Sequence, residues 1–207
     1  MKKVVYLLGV PCAGKSTIIK EWRHKGGMTL PEFTEPVPDF VHNAWLGSKE
    51  AQLNAQKWAL EQNFKKDEMI RNLPYDGTLI VERSPIDAVV YARAFGGKVA
   101  LWTETEVAKN NWVPGMLVLL ATDYENLKER WILGRGLSRE DWEHQWKPFS
   151  RALQGQYEMF KRTFSIPSIQ TDTSLGETMR QLHTLAENGL TYNIESLVRP
   201  SSHRERE

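Results

Sequence analysis

The chain has 207 residues, 41% of them hydrophobic, and a formal net charge of +1 at neutral pH. That length suits one substantial α/β domain, and the near-zero charge removes any global electrostatic case for a nucleic-acid or membrane surface. A single cysteine, Cys12, excludes an internal disulfide and a multi-cysteine metal site. The longest apolar runs are too short to span a bilayer, and Gly9 and Lys15 interrupt any signal-peptide shape, so a soluble cytoplasmic enzyme with no membrane partner is expected.

The first element, KKVVYLLG, is a short strand built on Val4, Val5, Leu7 and Leu8. GVPCAGKST follows it directly and fits the phosphate-loop pattern G-x-x-x-x-G-K-[ST], with Gly9, Gly14, Lys15 and Ser16 in register. KSTIIKEWRHKGG then reads as a helix ended by Gly26 and Gly27. Strand, loop and helix together aim backbone N–H groups and the positive end of the helix dipole at one spot. Gly9, Ala13, Gly14, Lys15, Ser16 and Thr17 are therefore the expected nucleotide cradle, with Lys15 on the β- and γ-phosphates and Ser16 on Mg²⁺.

GMTLPEFTE reads as a weak second strand ending near Glu35, and VPDFVHNAWLG as a short helix or loop. SKEAQLNAQKWALEQNFKKDEMIRNL has no glycine or proline and should form a long helix. GTLIVERS is a buried strand with a polar end; SPIDAVVYARAFG is a helix capped by Ser84 with Pro85 in its first turn. TETEVAKNNW suggests a short helix capped by Thr103 or Thr105. GMLVLLATD is the most apolar strand, DYENLKERWILG a helix with Asp123 near its cap, and SREDWEHQWKPFSRALQGQYEMFKRTF a helix kinked near Pro148. IPSIQTD is a last strand and TSLGETMRQLHTLAENG a last helix ended by Gly189.

Apolar strands alternating with helices predict an α/β, three-layer P-loop NTPase fold: a five-stranded parallel sheet flanked by helices, with a helical lid. The domain is expected over residues 1–192, with a lid at about 130–142 and a mixed-charge tail over 193–207 ending in RPSSHRERE. No repeat or long low-complexity segment is present.

Ligands of such a sheet gather past the C-terminal ends of its strands. There the sequence places the phosphate loop, Glu35, the trio Glu82, Arg83 and Ser84, Asp123, and Thr171 with Asp172. No hydrophobic-run-then-Asp site is clear, so Glu82 is the natural carboxylate to hold Mg²⁺ through water. Arg83 can pair with a substrate oxygen or a nearby carboxylate. Arg130, Arg135 and Arg139 occupy a glycine-containing stretch suited to a lid over the phosphates. Glu35 is the expected base for the acceptor hydroxyl.

These motifs resemble the deoxynucleoside kinases, which carry Glu-Pro-Val after the second strand and Glu-Arg-Ser after the third; here FTEPVPDF and VERSP hold those places. The resemblance implies a base role for Glu35, reacting-end roles for Glu82 and Arg83, and a lid with Arg130 and Arg135. The family's loop often has a small non-glycine residue where this chain has Cys12. It also implies a base-reading glutamine on the long helix. Gln62 lies nearest in alignment, Gln56 offers the same paired donor and acceptor, and Trp58 is a candidate to stack on a base. Trp45 and Phe64 stack or fill core, Tyr91 and Phe95 follow core spacing, and TDTS is placed to border the adenine.

Thymidylate kinases are similar too, but this chain has Thr34 where they have Arg and Glu82 where they have Asp. The expected reaction is transfer of the ATP γ-phosphate, with Mg²⁺, to a (deoxy)nucleoside hydroxyl. A nucleoside monophosphate remains an alternative acceptor. So does a hydroxyl within nucleic acid, such as a 5-hydroxymethylpyrimidine or a strand end, because GVPCAGKST also resembles the Gly-x-Pro-Gly loops of polynucleotide-kinase-like enzymes. Eight tryptophans would suit gripping an extruded base. A non-enzymatic nucleotide switch is a fourth reading, and a homodimer is left open.

Overall fold

The computed structural model describes residues 2–198, and RPSSHRERE, from Arg199 on, lies outside them. The expected strands are all present: β1 Lys3–Leu8, β2 Met28–Leu30, β3 Thr78–Glu82, β4 Met116–Ala121 and β5 Ser168–Gln170. They form one parallel sheet in the order β2-β3-β1-β4-β5. The three central strands are almost wholly buried, which is why they read as unbroken apolar runs. β1 lies mid-sheet, with Val5 opposite both Ile80 and Met116, so the loop after it opens at the centre of the C-terminal edge.

The helices are α1 Lys15–His24, α2 Asp39–His42, α3 Lys49–Asn72, α4 Pro85–Phe95, α5 Gly97–Lys109, α6 Tyr124–Arg135, α7 Arg139–Asp141, α8 Lys147–Phe164 and α9 Leu175–Asn188. Local chemistry sets their limits. Ser48 caps α3 by accepting from Ala51 N at 3.2 Å, and α3 stops just before the Leu73-Pro74 step. α4 opens with a Ser84–Asp87 capping box and Pro85 in its first turn.

Three expectations shift. β2 spans only three residues because Pro31 has no N–H to continue the ladder; the strand ends well short of Glu35. α5 starts at Gly97, so Thr103 and Thr105 lie inside it. Their hydroxyls bond back to Val99 O and Leu101 O at 2.9 and 2.7 Å instead of capping. The disruption near Pro148 is a π turn over Trp142–Trp146 just before α8, which accommodates the missing donor without ending the helix.

The domain also extends past residue 192. Ile194, Leu197 and Val198 are buried, and the 3₁₀ turn Ile194–Leu197 packs on α5. No helix among the described residues is long and apolar enough to cross a membrane.

Candidate active site

The turn after β1 is built from left-handed backbone. Gly9, Cys12 and Gly14 have φ of 140°, 64° and 94°. A Cβ on Gly9 would sit 2.8 Å from the Leu120 carbonyl oxygen, so the loop's approach to β4 requires glycine there. Cys12 adopts a conformation uncommon for a residue with a side chain. Lys15 curls over the loop and donates to Gly9 O and Val10 O, both at 2.8 Å. Burial, reinforced by the Arg83 charge, pushes its pKa down to about 8. Ser16 Oγ donates to Glu82 Oε1 at 2.8 Å. This hydroxyl and carboxylate are hard oxygen ligands side by side. They fit Mg²⁺, which keeps several waters and takes its other ligands from phosphates. Among the described residues no group of three or more His, Cys, Asp and Glu could hold a metal by itself.

A cavity of about 730 Å³ runs from this loop across the sheet edge. On the β4–β5 side it is bordered by Arg130, Thr171, Thr173, Leu175 and Thr178. On the β2–β3 side its walls are mainly apolar and aromatic, including Phe33, Val41, Trp45, Phe95 and Phe149. Trp45 and Phe95 each stack on Phe149, with centroids 4.5 and 5.8 Å away and planes within 17° and 2°. One stripe of α3, Gln56, Ala59, Asn63 and Lys66, forms the floor of this half, as the helical spacing of 3, 4 and 3 residues requires. Gln56 Oε1 and Asn63 Oδ1 are buried there without a hydrogen-bond partner among the described residues.

The two halves meet at Arg83, whose φ of 64° turns the chain sharply as it leaves β3. Its buried guanidinium ion-pairs with Glu32 through Nε. It also donates to Gly9 O and Asp87 Oδ1, both at 3.3 Å, and to Tyr91 Oη at 3.0 Å. Asp87 also accepts from Tyr157 Oη at 2.5 Å. Burial alone would raise the Glu32 pKa, but the Arg83 and Lys15 charges outweigh it and hold the carboxyl below its ordinary value. Lys66, 2% exposed, donates to Glu82 O at 3.0 Å and Arg83 O at 3.4 Å.

Of the residues expected from the sequence, Gly14, Lys15, Ser16, Thr17, Gln56, Glu82, Arg83 and Arg130 line this cavity. Others are placed elsewhere. Ala13 is buried within the loop, its amide on Val10 O at 3.3 Å. Glu35 is outside the cavity lining with its side chain 49% exposed, bound by Lys65 Nζ at 2.7 Å and Gln62 Nε2 at 3.0 Å. Gln62 is fully buried and spent on the loop, accepting from Thr34 N and Oγ1 at 3.2 and 2.7 Å. Trp58 packs against Phe33 with centroids 4.8 Å apart and the rings tilted by 55°. Asp172 accepts from Thr122 Oγ1 and Asp123 N at 2.5 and 2.6 Å and ion-pairs with Arg130 at 3.2 Å.

Arg130 and Arg135 both belong to α6, which continues through Gly134 and ends at Gly136 with φ of 62°. The connection to α7 is accordingly much shorter than the expected lid, and Arg139 points to Glu129 at 4.0 Å. The Arg135 side chain lies outside what the structure describes.

Glu32, Asn63, Lys66 and Asp87 are the site residues that sequence reasoning missed. The α3 stripe would have found Asn63 and Lys66 from Gln56 by helical spacing. Glu32 follows Pro31, the signal that the strand stops there.

A central phosphate loop after β1 and a parallel sheet of this order define a P-loop NTPase-like protein. Residues 4–173 match the family described as an AAA domain, and the chain belongs to it. The family and its loop imply nucleotide binding. No curated protein matches the chain in sequence. Among solved structures, deoxyadenosine kinase from M. mycoides with bound dATP superposes with a TM-score of 0.70 at 19% identity, covering 91% of this chain and 100% of that one. Thymidylate kinase from Candida albicans superposes with a TM-score of 0.64 at 12% identity, covering 93% and 95%. These likenesses are of fold.

Proposed function

We propose that the protein transfers the γ-phosphate of ATP to a hydroxyl of a (deoxy)nucleoside. The observation that carries this reading is the single cavity joining a phosphate loop to an aromatic-walled half, with Glu32 and Arg83 at the joint. The nucleotide occupies the β4–β5 side, its adenine against Thr171 and Thr173 and its phosphates on the loop amides and Lys15. Arg130 leaves Asp172 to meet the phosphates, with Arg135 from the end of the same helix. Ser16, and Glu82 through water, would hold Mg²⁺, which neutralises charge on the phosphates.

The acceptor's base lies on the aromatic side, with Gln56 offering its unpaired carbonyl to an N–H of the base edge. The proposal moves the base catalyst from Glu35 to Glu32, a carboxylate that lines the cavity where its two halves meet and that the Arg83 and Lys15 charges keep ionised at neutral pH. The acceptor O–H proton passes to Glu32 as the new O–P bond forms and the bond from the β–γ bridging oxygen to the γ-phosphorus breaks, releasing ADP. Arg83 orients Glu32 and faces the migrating group. A free nucleoside is favoured over a monophosphate because Arg83 is already balanced by Glu32 and Asp87. Beyond it the aromatic half is lined by His42 and by Lys66, whose ammonium is already bound to the Glu82 and Arg83 carbonyls.

The deciding assay uses ATP labelled at the γ-phosphate, Mg²⁺, and a panel of nucleosides, nucleoside monophosphates and DNA with and without hydroxymethylated pyrimidines. Label on a free nucleoside is the expected result. Label only on a monophosphate or only on DNA would overturn the acceptor assignment, and hydrolysis without transfer would overturn the kinase reading.

A further inference from the structure

Arg83 is held on every backbone side. Its amide donates the last rung of the sheet to Leu7 O at 3.0 Å, and the next amide, Ser84 N, donates to Asp87 Oδ2 at 2.8 Å. β2 ends opposite Val81, so on that side of β3 no strand among the described residues runs beside Glu82 and Arg83. The carbonyl oxygens of Glu82 and Arg83 turn instead to the Lys66 ammonium. We infer that Lys66 is a positioning residue. By binding these two carbonyls it keeps Arg83 in the left-handed turn that aims its guanidinium at Glu32 and Gly9 O. This deepens the phosphotransfer reading above and rests on it.

The chemistry of Lys66 fits that task. A lysine so deeply buried is expensive to keep unless its ammonium is fully used. Its charge acts through space on Asp87 and Glu32, but its hydrogen bonds go to backbone oxygens and not to a carboxylate, so its directional contacts are with the turn. Burial pushes its pKa down to about 8, which leaves it charged at neutral pH and its bonds charge-assisted. A non-glycine residue at positive φ persists only where its surroundings over-determine it. Here Leu7 and Asp87 fix the amides and Lys66 fixes the carbonyls. Without Lys66, Arg83 is free to relax to ordinary extended backbone. That swings its guanidinium away from Glu32 and from Gly9 O, while the Lys15 bonds to Gly9 O and Val10 O stay in place.

The test has two independent readouts. In the first, Lys66→Met should cut turnover about 10²-fold, the scale of a small misplacement at a reacting centre. ATP affinity should change little, and Lys66→Arg, which keeps a cationic donor, should recover part of the loss. In an Arg83→Gln background, Lys66→Met should then cost almost nothing further, because the residue it positions is gone. In the second, a crystal structure of Lys66→Met should show Arg83 out of the left-handed region and its ion pair with Glu32 broken. Multiplying losses in the double variant, or an unchanged Arg83 φ, would overturn the inference. If Lys66→Met does not fold, Lys66→Arg, alone and with Arg83→Gln, carries the same cycle and the same structural readout. If the wild type phosphorylates no acceptor, the proposed function falls, while the Arg83 backbone in the variants still decides the role of Lys66.

Discussion

The two halves of the cavity are made of different material. The proposed nucleotide side is backbone: left-handed turns at Gly9, Cys12 and Gly14, the amides at the start of α1, and threonines at the end of β5. The proposed acceptor side is side chain: a floor from α3, a wall from Trp45, Phe95 and Phe149, and a carboxylate held by a strained arginine. A backbone site tolerates much sequence change between its few fixed residues, and its chemistry is common to every ligand that carries phosphates. A side-chain site is specific to one ligand and fails one residue at a time. The nucleotide half should therefore respond to variants by losing everything, and the acceptor half by losing particular steps.

Lys15→Ala gives the largest expected effect. It removes the one side-chain cation of the loop, and transfer should fall about 10³-fold or more through lost stabilisation of charge on the migrating group. Single-turnover transfer measures it. Retention of full turnover would mean that the phosphates bind elsewhere.

Next in size is the contrast between Glu32→Gln and Glu35→Gln. Glu32 faces the cavity and Glu35 faces solvent, so the first should cost about 10²-fold in turnover, the low end for a general base. The second should leave turnover nearly unchanged. ATP affinity, read by nucleotide fluorescence, should survive both. The opposite ranking would return the catalytic role to Glu35 and require the 31–37 loop to move inward when the acceptor binds.

That contrast also shows where sequence reasoning stops. The loop, the strand order's consequences and most helix limits are legible because each follows from local rules: glycine where φ is positive, serine before a helix, proline in a first turn. Glu35 sits in a motif and Glu32 does not, yet the early end of β2 at Pro31 puts Glu32 at the strand end. The long helix is similar. Gln56 and Gln62 are equivalent by composition, but six residues on a helix turn the second about 120° from the first. That rotation sends one glutamine to the cavity and the other to the Thr34 loop. No local rule states which face meets the ligand. It is decided by where β2 and β3 place their loops relative to α3.

The two glutamines give the third prediction. Gln62→Ala removes the acceptor for Thr34 N and Oγ1 and should destabilise the fold by about 1–3 kcal/mol, seen in denaturant unfolding. Gln56→Ala should leave stability nearly unchanged and raise the acceptor KM about tenfold, the worth of roughly 1.4 kcal/mol of lost hydrogen bonding. Reversed outcomes would place the base reader at Gln62 after all.

The smallest effect is a pH dependence that separates the halves once more. Lys15 titrates near pH 8 without ligand because burial and Arg83 disfavour its charge. Polyphosphate supplies the opposite charge and must raise that pKa, so nucleotide binding takes up a proton. By linkage, affinity is full below the free protein's pKa and weakens as pH rises through and above about 8. The slope is at most about tenfold per pH unit for one proton, or 1.36 kcal/mol. Lys66 titrates in the same range, but it touches backbone and not phosphate. Lys66→Met should therefore keep the alkaline decline in ATP affinity measured by calorimetry at pH 7 and pH 9. A decline that vanishes in Lys66→Met would assign the proton to the acceptor side, and the division between the two halves would no longer hold.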